Sequence, residues 1–291
     1  MNARAEQTAI PGYLPARYAG GGTSAEAITD FLAALVDSDP RNALPEGNNV
    51  PIFDVPLAGI ASAADPLFET LKRPEVVGPI HVDAGHWLPG AKSVVSVFLP
   101  FSKAVKKSYD KASPLPSLEW ASSRQNGEVF VNVVRRGLMR YLEKHGSRAA
   151  APNLDPGYKA VDLVAMWSER HVAYIAGIGT FGLHAGLLTA KGAAGRICSV
   201  VTDLDLAPTP RPYKGVYDYC LWLSDGTCGA CIKRCPVQAI DAQGKSHPVC
   251  TTNGANNIRP AFKEWGYHSC GHCQTNLPCS DRIPKKPRRK G

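Results

Sequence analysis

The sequence predicts an α+β protein in two unequal parts, a mixed helix-and-strand domain followed by a small cysteine-rich one. Three observations carry that prediction. Helical apolar periodicity near the start and in the middle of the chain brackets a strand-like run, SVVSVFL from Ser93 to Leu99. A proline-rich joint, LAPTPRP at 206–212, separates the parts. Eight of the nine cysteines fall between 220 and 279. At 291 residues the chain can bury one large core with an appended module.

The elements follow in order. Residues 1–22, rich in Gly, Pro and Ala, form a loose terminus. A helix begins at Thr23 or Ser24 as cap, with Ala27, Ile28, Phe31, Leu32, Leu35 and Val36 on one face. From Asp39 to His86 prolines and glycines predict short elements and ordered loops. A long helix runs from about Ser117 to His145, with Trp120, Phe130, Val133, Val134, Leu138 and Leu142 as its apolar side and Gly127 as a division point. A second helix is expected from Asp162 to Ile175. A glycine-rich turn and two strands, Gly186–Ala190 and Arg196–Asp203, close a first domain over 23–205. The cysteine-rich domain covers 206–279 and a basic tail 280–291.

No run approaches the ~18 apolar residues a membrane span needs, and the first residues carry neither an apolar core nor a twin arginine. The expected compartment is the cytoplasm, where disulfides are disfavoured, so the thiols read as ligands. The net charge of +8 is uneven: the tail DRIPKKPRRKG sets Arg282, Lys285, Lys286, Arg288, Arg289 and Lys290 against Asp281 alone. Such a tail is either a solvated end or a contact for an acidic partner, an electron-donor protein or nucleic acid.

The cysteines run Cys220, Cys228, Cys231, Cys235-Pro236, Cys250, Cys270, Cys273, Cys279. A two-residue gap lets two thiolates converge on one metal centre. The three-residue gap ending in Cys-Pro sends the fourth thiolate to a neighbouring cluster, as in two-cluster bacterial ferredoxins. Zinc at Cys228, Cys231, Cys270 and Cys273 leaves the other four thiols unexplained, and a disulfide set lacks an export signal. Two [4Fe–4S] clusters use all eight: Cys220, Cys228, Cys231 and Cys279 for one, Cys235, Cys250, Cys270 and Cys273 for the other. Cys198, in RICSVV, stands apart as a small buried hydrophobe.

LPGAKSVVSVFLP, SERHVAYIAGIGTFGLHAGLL, the strand ending VVTDLDL and the eight-cysteine module together resemble the epoxyqueuosine reductase family, whose distant relatives are the corrinoid-dependent reductive dehalogenases. The resemblance covers roughly residues 88–279. It implies a nitroreductase-like α/β domain that binds cobalamin, with a ferredoxin-like domain delivering electrons to the cobalt. There are departures. The family's first cysteine run places a Cys where Asp225 stands, so Cys220 must substitute through a longer loop. Five residues separate Cys273 from Cys279 where the family has three, and the proline precedes Cys279. Both changes fall on one cluster, expected to be geometrically unusual or three-iron. The chain also ends soon after Cys279, without the helical-repeat domain many of these reductases carry, which argues against a tRNA substrate.

Gly177-Ile178-Gly179-Thr180-Phe181-Gly182 matches G-x-G-x-x-G but follows a helical stretch, not a strand, so the dinucleotide reading fails. In the resembling family this segment borders the corrinoid; the alternative is a plain helix-to-strand turn. The resemblance also implies a proton-donating aspartate shortly before Glu169-Arg170. Asp162 is the nearest match, displaced by one residue; the favoured reading of it is a helix cap, with the proton donor as the alternative. Tyr158 and Tyr174 are reserve donors, and Glu169-Arg170 reads equally as an exposed pair. His272 is either a hydrogen-bond donor to a cluster sulfur or a solvent-side loop residue, and His184 could approach the cofactor. Two functions stay open: a corrinoid-dependent reductase of a small or modified-nucleoside substrate, fed by an acidic donor such as ferredoxin or flavodoxin, or a two-cluster electron carrier without cobalamin.

Overall fold

The computed structural model of this protein describes residues 22–45, 49–109, 113–162, 164–263 and 269–286. The loose terminus expected over 1–22, Gly22 aside, and tail residues 287–291, with Arg288, Arg289 and Lys290, lie outside the described residues.

Along the chain the strands are β1 (Leu57–Ser62), β2 (Ser93–Pro100), β3 (Ala149–Ala150), β4 (Ala160–Val161), β5 (Val164–Ala165), β6 (Gly179–Phe181), β7 (Leu187–Thr189) and β8 (Gly195–Thr202). The helices used below are α1 (Ala25–Ser38), α2 (Leu67–Leu71), α3 (Ala84–Trp87), α4 (Lys103–Lys107), α5 (Leu118–Lys144), α6 (Glu169–Ile175), α7 (Leu221–Asp225), α8 (Ala230–Arg234) and α9 (His247–Asn253).

The frame is an antiparallel sheet in the order β1-β2-β8-β3. Its register pairs Val95 with Val200, Ser96 with Ser199 and Val97 with Cys198. Every residue of β2 is buried, because the sheet is covered on both faces. Successive side chains alternate sides. Val95, Val97 and Leu99 join Phe31, Leu35, Trp120, Phe130 and Val134 from α1 and α5, while Val94 and Phe98 join Val172 and Ile175 from α6. Fully burying Phe31 or Phe130 contributes on the order of 2–3 kcal/mol each. The result is a helix–sheet–helix sandwich.

Serines start both long helices. Ser24 Oγ accepts from the Ala27 amide at 3.2 Å and Ser117 Oγ from the Trp120 amide at 3.1 Å, each satisfying an orphan donor of the first turn. Gly127 does not divide α5. The helix is continuous, and a Cβ there would stand 2.9 Å from the Phe53 ring, so the glycine admits an aromatic ring. The loop region from Asp39 to His86 supplies an edge strand, β1, besides short helices. Its Ile60 carbonyl accepts from the Thr209 amide of the proline-rich joint and its amide donates to Thr209 Oγ1, which ties the joint to the sheet.

The helix expected from Asp162 is shorter. Ala160–Val161 and Val164–Ala165 pair as the antiparallel strands β4 and β5, and α6 starts only at Glu169 after Ser168. Cys198 is buried between β2 and α5, and burial pushes its thiol up to about 12.

The cysteine-rich part shares a core with residues 183–193: Leu183, Leu188 and Ala193 pack with Cys220, Cys231 and Ile240. Residues 279–286 touch both parts: Asp281 pairs with Lys106 of the body at 2.6 Å and Lys286 with Asp225 of the cysteine-rich part at 2.9 Å. Among the described residues no helix is long and apolar enough to cross a membrane.

Candidate functional site

All nine cysteines are free. Eight are positioned by short helices and left-handed turns. Cys220 precedes α7 and Cys235 ends α8. Both two-residue gaps contain a glycine with positive φ, Gly229 at 69° and Gly271 at 79°. Such a residue turns the chain so that flanking thiols face the same way without Cβ strain.

The thiols sort into two quartets. Cys220, Cys228, Cys231 and Cys279 line one small apolar cavity. Burial pushes Cys279 up to about 12, with Cys231, Cys228 and Cys220 adding to the rise, and Cys231 up to about 11, with Cys220 and Cys228 adding. Burial likewise pushes Cys273 up to about 12, and there the neighbours that add to it are Cys270, Cys250 and Cys235. Cys235 thus falls with distant cysteines and Cys279 with the early ones. Asp225, where the family pattern has a cysteine, pairs instead with Lys286 and Thr227, and Cys220 lines the cavity. Among the described residues no three His, Cys, Asp or Glu side chains converge as tightly as a lone metal ion needs. Four thiols around one cavity, and four more that influence one another's ionisation, are a donor set that suits clusters held at separated sulfurs.

Lys245 stands at the second quartet. Burial alone would lower its ammonium, but Cys273, Cys250 and Cys270 outweigh that and raise it. His272 is buried rather than solvent-side: Tyr109 Oη lies 2.8 Å from Nδ1 and the Ser113 carbonyl 3.0 Å from Nε2. It anchors the Cys270–Cys273 turn to the body.

Cys273 also reaches the wall of a cleft of about 410 Å³ between the sheet domain and the cysteine-rich part. Arg124, Glu128, Arg135, Glu169, Arg196 and Lys245 line it. An adjoining cleft of about 630 Å³ shares Arg170, Ala185 and Lys245 and adds His171, Tyr174, Phe181 and Tyr217.

Glu169 is the strongest acid candidate in the first cleft. Its side chain is 13% exposed. Trp167 Nε1 donates to Ser199 Oγ at 2.8 Å, and Ser199 donates to Glu169 Oε2 at 2.6 Å. Oε1 has no hydrogen-bond partner, and Arg135 lies 3.5 Å from it. Burial raises the carboxyl, with Arg135 and Ser199 pulling partly back. The sequence shows Glu169 only as half of an exposed-looking pair; its burial depends on Ser199, thirty residues on.

The glycine-rich segment divides. Phe181 and Gly182 line the larger cleft. Gly177, Ile178, Gly179 and Thr180 line none of the clefts described: a Cβ on Gly179 would meet the Leu188 carbonyl oxygen, and Thr180 Oγ1 accepts from the Tyr219 amide at 3.0 Å. Those glycines allow close approach of the chain to itself. Asp162 is exposed at the turn of β4–β5 with φ 49°. It caps no helix and lines neither cleft.

With the geometry in place, the fold can be compared with known ones: it resembles those of an epoxyqueuosine reductase and of a reductive dehalogenase. In sequence, the chain is similar to an epoxyqueuosine reductase of Cellulophaga algicola, 41% identical over 198 residues, 65% of this chain and 58% of that protein. It is similar too to a tetrachloroethene reductive dehalogenase of Desulfitobacterium hafniense, 29% identical over 187 residues, 62% of this chain and 31% of that protein. The epoxyqueuosine reductase of Bacillus subtilis, solved with its catalytic aspartate loop swung out of the active site, overlays with a TM-score of 0.51 at 16% identity, covering 89% of this chain and 68% of the other. No family model matches the chain. The chain spans less than two thirds of both curated relatives.

Proposed function

We propose that the protein is an iron–sulfur reductase with a nitroreductase-like domain over 23–205 and a ferredoxin-like domain over 206–279. Its two quartets hold [4Fe–4S] clusters, and its paired clefts hold cobalamin and a small or modified-nucleoside substrate. The observation that carries this reading is the sorting of eight thiols into two quartets, the second of which opens on the cleft. Phe181, Gly182, Ala185 and Gly186 offer a large flat ligand one aromatic and three small contacts on the cleft walls. When bound, the corrinoid supplies the reducing power to break a carbon–oxygen or carbon–halogen bond.

The chain's own residues do the rest. The thiolates hold the clusters, and Lys245 offsets charge at the second. Glu169, whose burial favours the protonated carboxyl, is the proposed proton donor on the cleft wall, in the place the family resemblance would give to Asp162. Arg124, Arg135 and Arg196 favour an anionic group on the substrate. An acidic ferredoxin or flavodoxin in the cytoplasm is the proposed electron donor, met by the basic C-terminal segment.

Anaerobic preparation followed by iron and sulfide counting and cobalamin titration tests the reading. About eight irons and eight sulfides are expected for two cubane clusters, with a change in the cobalamin visible spectrum at stoichiometric protein. Clusters without any spectral change would favour a two-cluster electron carrier. Zinc without sulfide would end the proposal.

A further inference from the structure

We infer that His184 donates a hydrogen bond to the Cys279 sulfur and so sets the reduction potential of the cluster held by the first quartet. This deepens the cluster reading and rests on it.

The ring is buried, and it stands on the wall of the Cys220–Cys279 cavity and of the cleft beside Cys273. Its Nε2 is 4.0 Å from Cys279 Sγ, within reach of an N–H···S bond to a large, soft acceptor. The tautomer follows from the other nitrogen. The Gly186 amide donates to Nδ1 at 3.0 Å, so Nδ1 is an acceptor and the proton sits on Nε2, facing the sulfur.

The sequence Gly182-Leu183-His184-Ala185-Gly186 is shaped around that ring. A Cβ on Gly186 would come 2.7 Å from the imidazole and one on Gly182 would come 3.1 Å from Nε2. Ala185 takes a left-handed φ of 62° to close the turn, a conformation costly for a residue with a Cβ. Two missing side chains and one strained residue hold the imidazole against a single thiol. A hydrogen bond to a ligand sulfur stabilises the more negative, reduced cluster and raises its potential. Cys235, Cys250, Cys270 and Cys273 receive no such bond from His184, so the effect is confined to one cluster.

The test is a potentiometric titration followed by electron paramagnetic resonance on the full chain, with wild type, His184→Phe and His184→Gln. The phenylalanine keeps a ring but no donor. It is expected to shift the first cluster's oxidised-to-reduced ratio about tenfold towards oxidised at a given potential, a drop of about 59 mV for one electron. The second cluster's midpoint should stay fixed. Glutamine, with an amide N–H, should recover most of the shift. Both midpoints unchanged in a Phe variant with full iron would overturn the inference. If that variant fails to assemble the cluster, ¹⁵N-histidine-labelled wild type decides: a nitrogen coupling to the reduced first cluster supports the bond, and its absence overturns it. Wild type lacking iron and sulfide would instead refute the cluster reading itself, a result separable from the others by the metal count.

Discussion

Glu169 owes its proposed chemistry to where it sits. An exposed glutamate is ionised near neutrality and gives up no proton in a slow step. Burial beside the sheet raises this carboxyl, while Arg135 and the Ser199 hydroxyl keep the rise in check. The acid must be protonated to act, so turnover should fall as pH climbs through the raised value, a shoulder above the ordinary glutamate range. Glu169→Gln preserves shape and the Ser199 contact but holds no transferable proton. Turnover is expected to drop by ~10²-fold and to lose that alkaline limb, with iron content and melting temperature near wild type. Asp162→Asn is the informative contrast. Asparagine tolerates a left-handed φ as well as aspartate does, and the side chain is exposed outside the cleft. Stability and turnover should stay close to wild type; a loss comparable to that of Glu169→Gln would return the proton-donor role to the hairpin.

At the scale of elements, the hairpin β6–β7 shows which glycines serve the fold. Gly179 pairs with Thr189, and a side chain there would run into the Leu188 carbonyl. Because the obstruction is backbone, it cannot rotate away. Gly179→Ala is expected to cost at least about 2 kcal/mol, towards the upper end for overpacking, seen as a lower denaturant midpoint in the cofactor-free protein. Any loss of cobalamin affinity in that variant would follow from the damaged hairpin. An unchanged midpoint would mean that the hairpin gives way readily and that the glycine serves something else. The elements legible in the sequence have strong local signals: α1 and α5 bury one periodic face and begin at a serine cap, while β2, buried along its whole length, and β8 are short apolar runs. The stretch from Asp162 was misread because LVAMW suits a helix face and an extended pair equally, and only the turn at Asp162 with the cap position at Ser168 separates them. β1 was missed because LAGIAS has no strong strand residue except Ile60; its partner, β2, makes it a strand.

For the whole molecule, the decisive property is that chain order and spatial order disagree at the cysteines. The Cys-x-x-Cys and Cys-Pro spacings already suggest in sequence that Cys220, Cys228, Cys231 and Cys279 go together, and these four line one cavity. The cleft was not readable, since Arg135, Glu169, Arg196 and Lys245 come from α5, α6, β8 and the loop before α9 and carry no shared spacing. Cys231 and Cys235 both belong to the short α8 region, yet Cys231 faces the cavity with Cys220 and Cys279, while Cys235 acts on Cys270 and Cys273. The Ala239 amide, 3.1 Å from Cys235 Sγ, helps to hold that thiol on its own side. Cys235→Ala should therefore remove the cluster of Cys250, Cys270 and Cys273 while its close neighbours in sequence keep theirs. The expected outcome is about half the iron, since each cubane takes four thiolates, and a reduced-state resonance spectrum showing one cluster without the spin coupling of a pair. The surviving signal should shift in a Cys235→Ala, His184→Phe double variant, because the sulfur His184 bonds is Cys279 of the first quartet. Loss of the first cluster's signal in Cys235→Ala alone would reverse the ligand assignment, and the cleft would then face a different electron donor.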